Sequence, residues 1–162
     1  MKNQFRNNGA IGALLDEYEK SIIELQDVIS PISKEELVII ADKTTEDPDC
    51  KSIQTVLTHV ISSGYYYAVV IRNYLGESIN YKEGILLNSV EEYSTELQKM
   101  FQYNVQLFED YPNIEIEVHN KDKKILTRWG QRYDVEQLLE HAIVHILRHR
   151  RQVEKFLIKI NR

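Results

Sequence analysis

The 162-residue sequence predicts an all-α fold: a four-helix bundle with a short β-hairpin before the last long helix. Three observations predict it. Four long stretches repeat apolar residues at helical period. Three of them open on an N-cap pattern. Polar linkers separate them, so each apolar stripe needs the others to be buried. No solenoid-like repeat is present, and the length suits a single domain over 1–162 with a core of its own.

The first stretch runs from about Ala10 to Ile29, with Ile11, Leu14, Leu15, Tyr18, Ile22, Leu25 and Val28 on one face. Pro31 stops it, and "SKEE" from Ser33 to Glu36 reads as a capping box opening a short extra helix. The loop "DKTTEDPDCK" follows. The second long helix starts after Ser52 and carries Ile53, Val56, Leu57, Val60, Tyr67, Ile71 and Tyr74, with Gly76 as its terminator. The third opens at "SVEE", Ser89 to Glu92, and ends before Pro112. It offers Val90, Tyr93, Leu97, Met100, Phe101 and Phe108 to a core.

Between Asn113 and Trp129 the period changes. "IEIEV" alternates as a half-exposed strand does, and "ILTRW" is its expected partner across a polar turn holding His119. The last helix takes Asp134 as N-cap, with Gln137 three residues on, and runs to about Ile160. Its stripe is Val135, Leu138, Ala142, Ile146, Val153, Phe156 and Ile160.

Composition narrows the function classes. A net charge of -5 argues against general nucleic-acid binding, which depends on neutralising phosphates. No apolar run approaches the roughly 20 residues that span a bilayer. The opening "MKNQFRNNGAIGALLDEYEK" has no hydrophobic secretory core and reads as free of a signal peptide. Cys50 is the only cysteine, which precludes an internal disulfide and fits a reducing cytoplasm. It lies in loop-like "EDPDCK" and reads as incidental rather than nucleophilic.

"HAIVHILRHRRQ", residues 141 to 152, holds the chemistry. Taking about 100° per residue, His149 falls about 25° from the stripe centre, His145 about 65° and His141 about 105°. His149 and His145 therefore face the interior or its rim, and His141 drifts toward solvent. A buried imidazole has two nitrogens to satisfy. Residues four apart on a helix can share one metal ion, as in H-E-x-x-H sites. A third ligand then comes from another helix, where His59 in "TVLTHVISS" is the helical histidine left. From the residues alone two readings stand: satisfied histidines on a crowded helix edge, or a metal site. Ferritin-like di-iron chemistry is disfavoured, since no Glu-x-x-His pair occurs in the chain.

"SIQTVLTHVISS" together with "WGQRYDVEQLLEHAIVHILRHRRQV" resembles the DinB/YfiT-like superfamily of bundle proteins. That family carries one histidine early in its second helix and an HxxxH on its last, the final histidine commonly followed by Arg-Gly-Gln. Matching that ending to "HRRQ" implies metal ligands at His145 and His149, with His59 as the early one. One departure is an arginine, read at Arg150, where the family often has glycine. The architecture of nearly the whole chain agrees, while the specific signal lies in the two quoted segments.

The resemblance implies a divalent metal ion, zinc or nickel before iron, held by His59, His145 and His149. It implies a metal-dependent enzyme, a thiol-dependent S-transferase whose small-molecule substrate is a low-molecular-weight thiol, in a chain able to form a homodimer. Metal-dependent hydrolysis is the alternative, and a non-catalytic metal- or ligand-binding protein is a third class. Arg148, Arg150 and Arg151 offer a contact for a carboxylate or phosphate, against the plainer reading of a solvated face. Tyr66, seven residues after His59, is a candidate pocket wall, and Trp129 a packing anchor.

Overall fold

Three of the long helices begin where a short polar side chain takes over a missing intrahelical partner. A computed structural model describes residues 5–160; residues 1–4, on which part of the signal-peptide reading rests, and 161–162 lie outside the described residues. Ser52 Oγ accepts from the Thr55 N–H and opens α3 (Ile53–Tyr74). Ser89 Oγ accepts from the Glu92 N–H and opens α4 (Val90–Asp110). Asp134 Oδ1 accepts from the Gln137 N–H, and Gln137 Oε1 accepts in return from the Asp134 N–H, opening α5 (Val135–Ile160). The Ser33–Glu36 box starts the short α2 (Lys34–Val38) as expected. The first helix, α1 (Gly9–Ile29), differs: Asn8 makes no side-chain cap. Arg6 instead folds back onto Asp16 and Glu19 of that helix.

Gly76 ends α3 at φ +102°, the left-handed conformation glycine tolerates. Around it the Glu77 N–H reaches the Arg72 carbonyl and the Gly76 N–H the Asn73 carbonyl. Tyr111 caps α4 just ahead of Pro112.

The four long helices share one core. α1 packs on α4 and α5, and α3 packs on the same two helices. Tyr18 and Phe101 meet edge to face, centroids 5.7 Å apart, deep in that core. α3 and α4 pack tightly at Gly64, where a Cβ would lie 2.3 Å from Met100 Sδ. No helix among the described residues is long and apolar enough to cross a membrane.

The hairpin exists, but its strands are not the expected pair. β1 (Ile125–Leu126) pairs antiparallel with β2 (Arg132–Tyr133), around a turn through Gly130. "IEIEV" forms no strand. Its alternation is one of burial: Ile114, Ile116 and Val118 are half-buried while Glu115 and Glu117 are exposed. Its backbone partners belong to the start of α5, with the Glu136 N–H on the Ile116 carbonyl and the Val118 N–H on Asp134 Oδ2. His119 accordingly lies in an exposed loop rather than a hairpin turn.

Asp134 thus does two things at once. It caps α5, and its other oxygen accepts from Lys124 Nζ at 2.8 Å. Burial opposes its charge, yet Lys124 and the Gln137 and Val118 N–H groups hold its carboxyl below the usual range. Replacing Asp134 with alanine removes the cap and takes the carboxylate partner from the Lys124 ammonium, which keeps only its bond to Gln137 Oε1. We expect a loss of at least about 1 kcal/mol in urea unfolding. Asp134→Asn keeps a cap oxygen, so its loss should be smaller; equal losses would refute the capping account.

Candidate metal centre

Two local decisions place the histidines. The capping box at Ser52 fixes the start of α3, so His59 emerges on its flank toward α5. The Asp134 box does the same for α5, whose stripe turns His145 and His149 inward. His149 is 1% exposed and His145 9%, while His141 is half-buried. The order of burial follows the angular order.

The three rings converge on their Nε2 atoms. His145 Nε2 lies 3.0 Å from His59 Nε2 and 3.2 Å from His149 Nε2. The ligand atoms of the three all lie within 4.8 Å of one another, close enough to hold one metal ion. His141 is outside the group. It stacks on Trp129 at 5.4 Å and meets Tyr67 edge-on; the tryptophan, expected as a packing anchor, is itself 38% exposed.

The outer nitrogens decide where the protons are. His59 Nδ1 lies 3.1 Å from Asp49 Oδ2, and a carboxylate only accepts, so Nδ1 carries the hydrogen. His149 Nδ1 lies 2.9 Å from Gln152 Oε1 and donates there for the same reason. The Cys50 thiol reaches that same oxygen at 4.0 Å, a second donor consistent with oxygen at this place. In a neutral ring with its hydrogen on Nδ1, the Nε2 atom presents a lone pair, so both face His145, whose own Nε2 carries at most one proton. One of the two short N···N contacts has no hydrogen in it.

A shared cation removes that conflict. Nitrogens each about 2.0–2.1 Å from one zinc ion lie about 2.8–3.0 Å apart at right angles and about 3.3–3.4 Å apart at tetrahedral angles. The observed 3.0 and 3.2 Å fit that spacing. The electrostatics agree. Burial first, then the neighbouring histidines and Arg148, drive the His145 pKa far below its ordinary value. Burial lowers His149 to about 4, against the raising influence of its bond to Gln152. Both rings are neutral at pH 7, the form that binds metal.

Asp49 and Gln152 were not singled out from the sequence. Gln152 had a signal, standing three residues after His149 and hence on the same helix face. Asp49 had none, since it reaches His59 from the 3-10 turn Pro48–Cys50 that precedes the α3 cap. Burial raises the Cys50 thiol, in keeping with a non-nucleophilic cysteine. Tyr67, not Tyr66, borders the site, its ring 6.1 Å from His145. Tyr66 turns away, and its hydroxyl accepts from the Arg128 N–H.

The arginines separate too. Arg150 bonds Glu24 of α1 and lies 3.6 Å from Glu154, so it ties helices together. Counted position by position, the glycine of the family ending falls on Arg151, which is exposed and free of crowding. Arg148 is exposed and adds positive potential at the histidines.

Compared with family models, curated proteins and solved structures, the chain matches none.

A pH dependence follows for metal-free protein. Unfolded histidine titrates near 6.5, but folded His145 and His149 resist protonation. Below about 6.5 the unfolded chain binds more protons, so folding stability is lost as pH falls. In the presence of a chelator, Tm should drop from pH 7.5 to 5. The drop should be shallower for the double variant His145→Leu, His149→Leu. Parallel curves for the two proteins would show that these rings do not carry the effect.

Proposed function

We propose that this chain is a DinB/YfiT-like four-helix bundle holding one divalent cation on His59, His145 and His149, and that it acts as a metal-dependent enzyme on a small thiol. One observation carries the metal reading: three inward Nε2 atoms, two of them left as lone pairs by their Nδ1 bonds to Asp49 and Gln152. The two sequence segments and the ring of four long helices support the family reading.

Three neutral imidazoles leave a divalent ion at least one position for an outside ligand, where it supplies Lewis acidity to a bound thiol or water. The chain's own residues do the rest. Asp49 and Gln152 fix ring orientation and tautomer, the outer support that sets ligand basicity. His59, with 22% of its side chain exposed, marks the side from which a substrate approaches. Trp129, Tyr67 and His141 wall the adjoining flank of α5. The Arg148 guanidinium favours an anionic or thiolate ligand there.

Thiol transfer fits these residues better than hydrolysis. Hydrolysis calls for a general base, and of the two carboxylates near the cluster Asp49 is engaged with His59 while Asp47 accepts from the Asp49 N–H as the cap of its turn. A non-catalytic metal carrier is separated from both by turnover that chelation abolishes and metal restores.

Metal analysis of untagged protein, purified without added metal, should find one divalent ion per chain. Alanine at His59, His145 or His149 should sharply reduce occupancy, while His141→Ala should retain most of it. Asp49→Ala and Gln152→Ala should keep the ligands yet weaken metal affinity by about 10- to 100-fold. An empty wild-type protein that also fails to take up zinc or nickel on titration would overturn the reading.

A further inference from the structure

A well-formed cavity of the molecule does not open on the histidines. It lies on another flank of α3, with a volume of about 460 Å³, within the range of small-molecule sites. Ile61, Tyr65 and Val69 of α3 and Tyr103 of α4 form its base and wall, and Tyr81 and Leu87 close it from above. Those last two belong to the chain crossing from α3 to α4, which acts as a strap.

The strap is tied at both ends and touches α3 between them. Asn73 clamps Ile79 with two hydrogen bonds, 3.0 Å to its carbonyl and 2.8 Å from its N–H. At the far end Gln54 donates to the Leu87 carbonyl, and the Leu87 N–H donates to the Tyr93 hydroxyl. The Tyr81 hydroxyl reaches the Ser62 carbonyl at 3.1 Å. Gly84 rests on α3 so closely that a Cβ would lie 2.1 Å from Ser62 Oγ. Between these fastenings and the side chains of α3 and α4 the cavity stays open.

The lining says what fits. Tyrosine rings and aliphatic side chains dominate it. Its inner carboxylate, Glu96, is already satisfied by the Tyr65 hydroxyl at 2.9 Å and the Lys99 ammonium at 3.1 Å. Lys82 and Glu83 are exposed neighbours of opposite sign on the strap. The buried side of the lining therefore holds no free charge, and the charges of the strap stand at its exposed edge. At the rim Ile85 is 76% exposed, apolar surface that a bound apolar molecule would cover. A roof tied at both ends excludes a helix or a folded partner.

We propose that this cavity is a binding site for an uncharged, mainly apolar small molecule of two or three aromatic rings in size, independent of the histidine cluster. The probe is N-phenyl-1-naphthylamine, an uncharged fluorophore that brightens in apolar surroundings. Added to the full chain, it should give a saturable, blue-shifted signal at one probe per chain. Val69→Trp, which fills the cavity, should abolish that signal. Ile85→Asp alters an exposed strap residue and should leave the melting temperature near that of the wild type. It sets a carboxylate beside the apolar space and should weaken binding about tenfold. That second variant decides the matter should the first fail to fold. The His59→Ala, His149→Ala double variant should bind the probe like the parent, with or without metal. An unsaturable response, unchanged affinity in Ile85→Asp, or loss of binding in the histidine double variant would each overturn the proposal.

Discussion

The register of α3 against α5 is the constraint on which the rest of this structure depends. An imidazole inside a protein must satisfy two nitrogens, and each one left alone costs about 1–3 kcal/mol. Here three rings are turned toward one another across that helix pair, and the outer nitrogens of His59 and His149 are tied to side chains from outside the cluster. A slip of one residue along either helix would rotate a ring by about 100° and break the set. The apolar stripe of α5 holds the register, with Leu138, Ala142, Ile146, Val153 and Phe156 buried above, between and below the histidines. Gly64 contributes from the far side by letting α3 settle onto Met100.

What could be read in the sequence was what is decided locally. Helix starts at Ser33, Ser52, Ser89 and Asp134 were legible because a cap and its partner lie within one turn. The pairing of His145 with His149 was legible because rotation per residue is fixed. The hairpin was misplaced for an instructive reason. "IEIEV" does alternate in burial, but its neighbour is the end of a helix, and alternation records only which side is covered. Gln152 stands within one turn of His149, a relation that helical spacing does carry, whereas Asp49 escaped because its contact with His59 is set by tertiary packing, which periodicity does not encode. The same holds for Tyr67 over Tyr66: seven residues bring a side chain back near the same angle, yet the hairpin decides which ring meets the histidines.

α3 carries two unlike surfaces. One flank presents His59 to α5, and another lines the strap-covered cavity with Thr58, Ile61, Ser62, Tyr65 and Val69. Between the two runs a series of rings, Tyr81 to Tyr66 at 5.5 Å, Tyr66 to Trp129 at 5.8 Å, and Trp129 to His141 at 5.4 Å. Arg128 lies over the first two. These contacts brace the hairpin and the strap against the same helix, so both coverings share one support.

The distance along the chain between the clustered histidines has a consequence of its own. His145 and His149 become neighbours as soon as one helical turn forms, but His59 stands 86 residues away from His145. Loop-closure entropy must be overcome before they meet, and contacts of such separation form slowly. The trio therefore exists only once an early and a late segment of the chain have found each other. Any signal specific to His59 beside His145 is a clock for completed topology, silent while helices form singly and audible only when the last long-range closure is made.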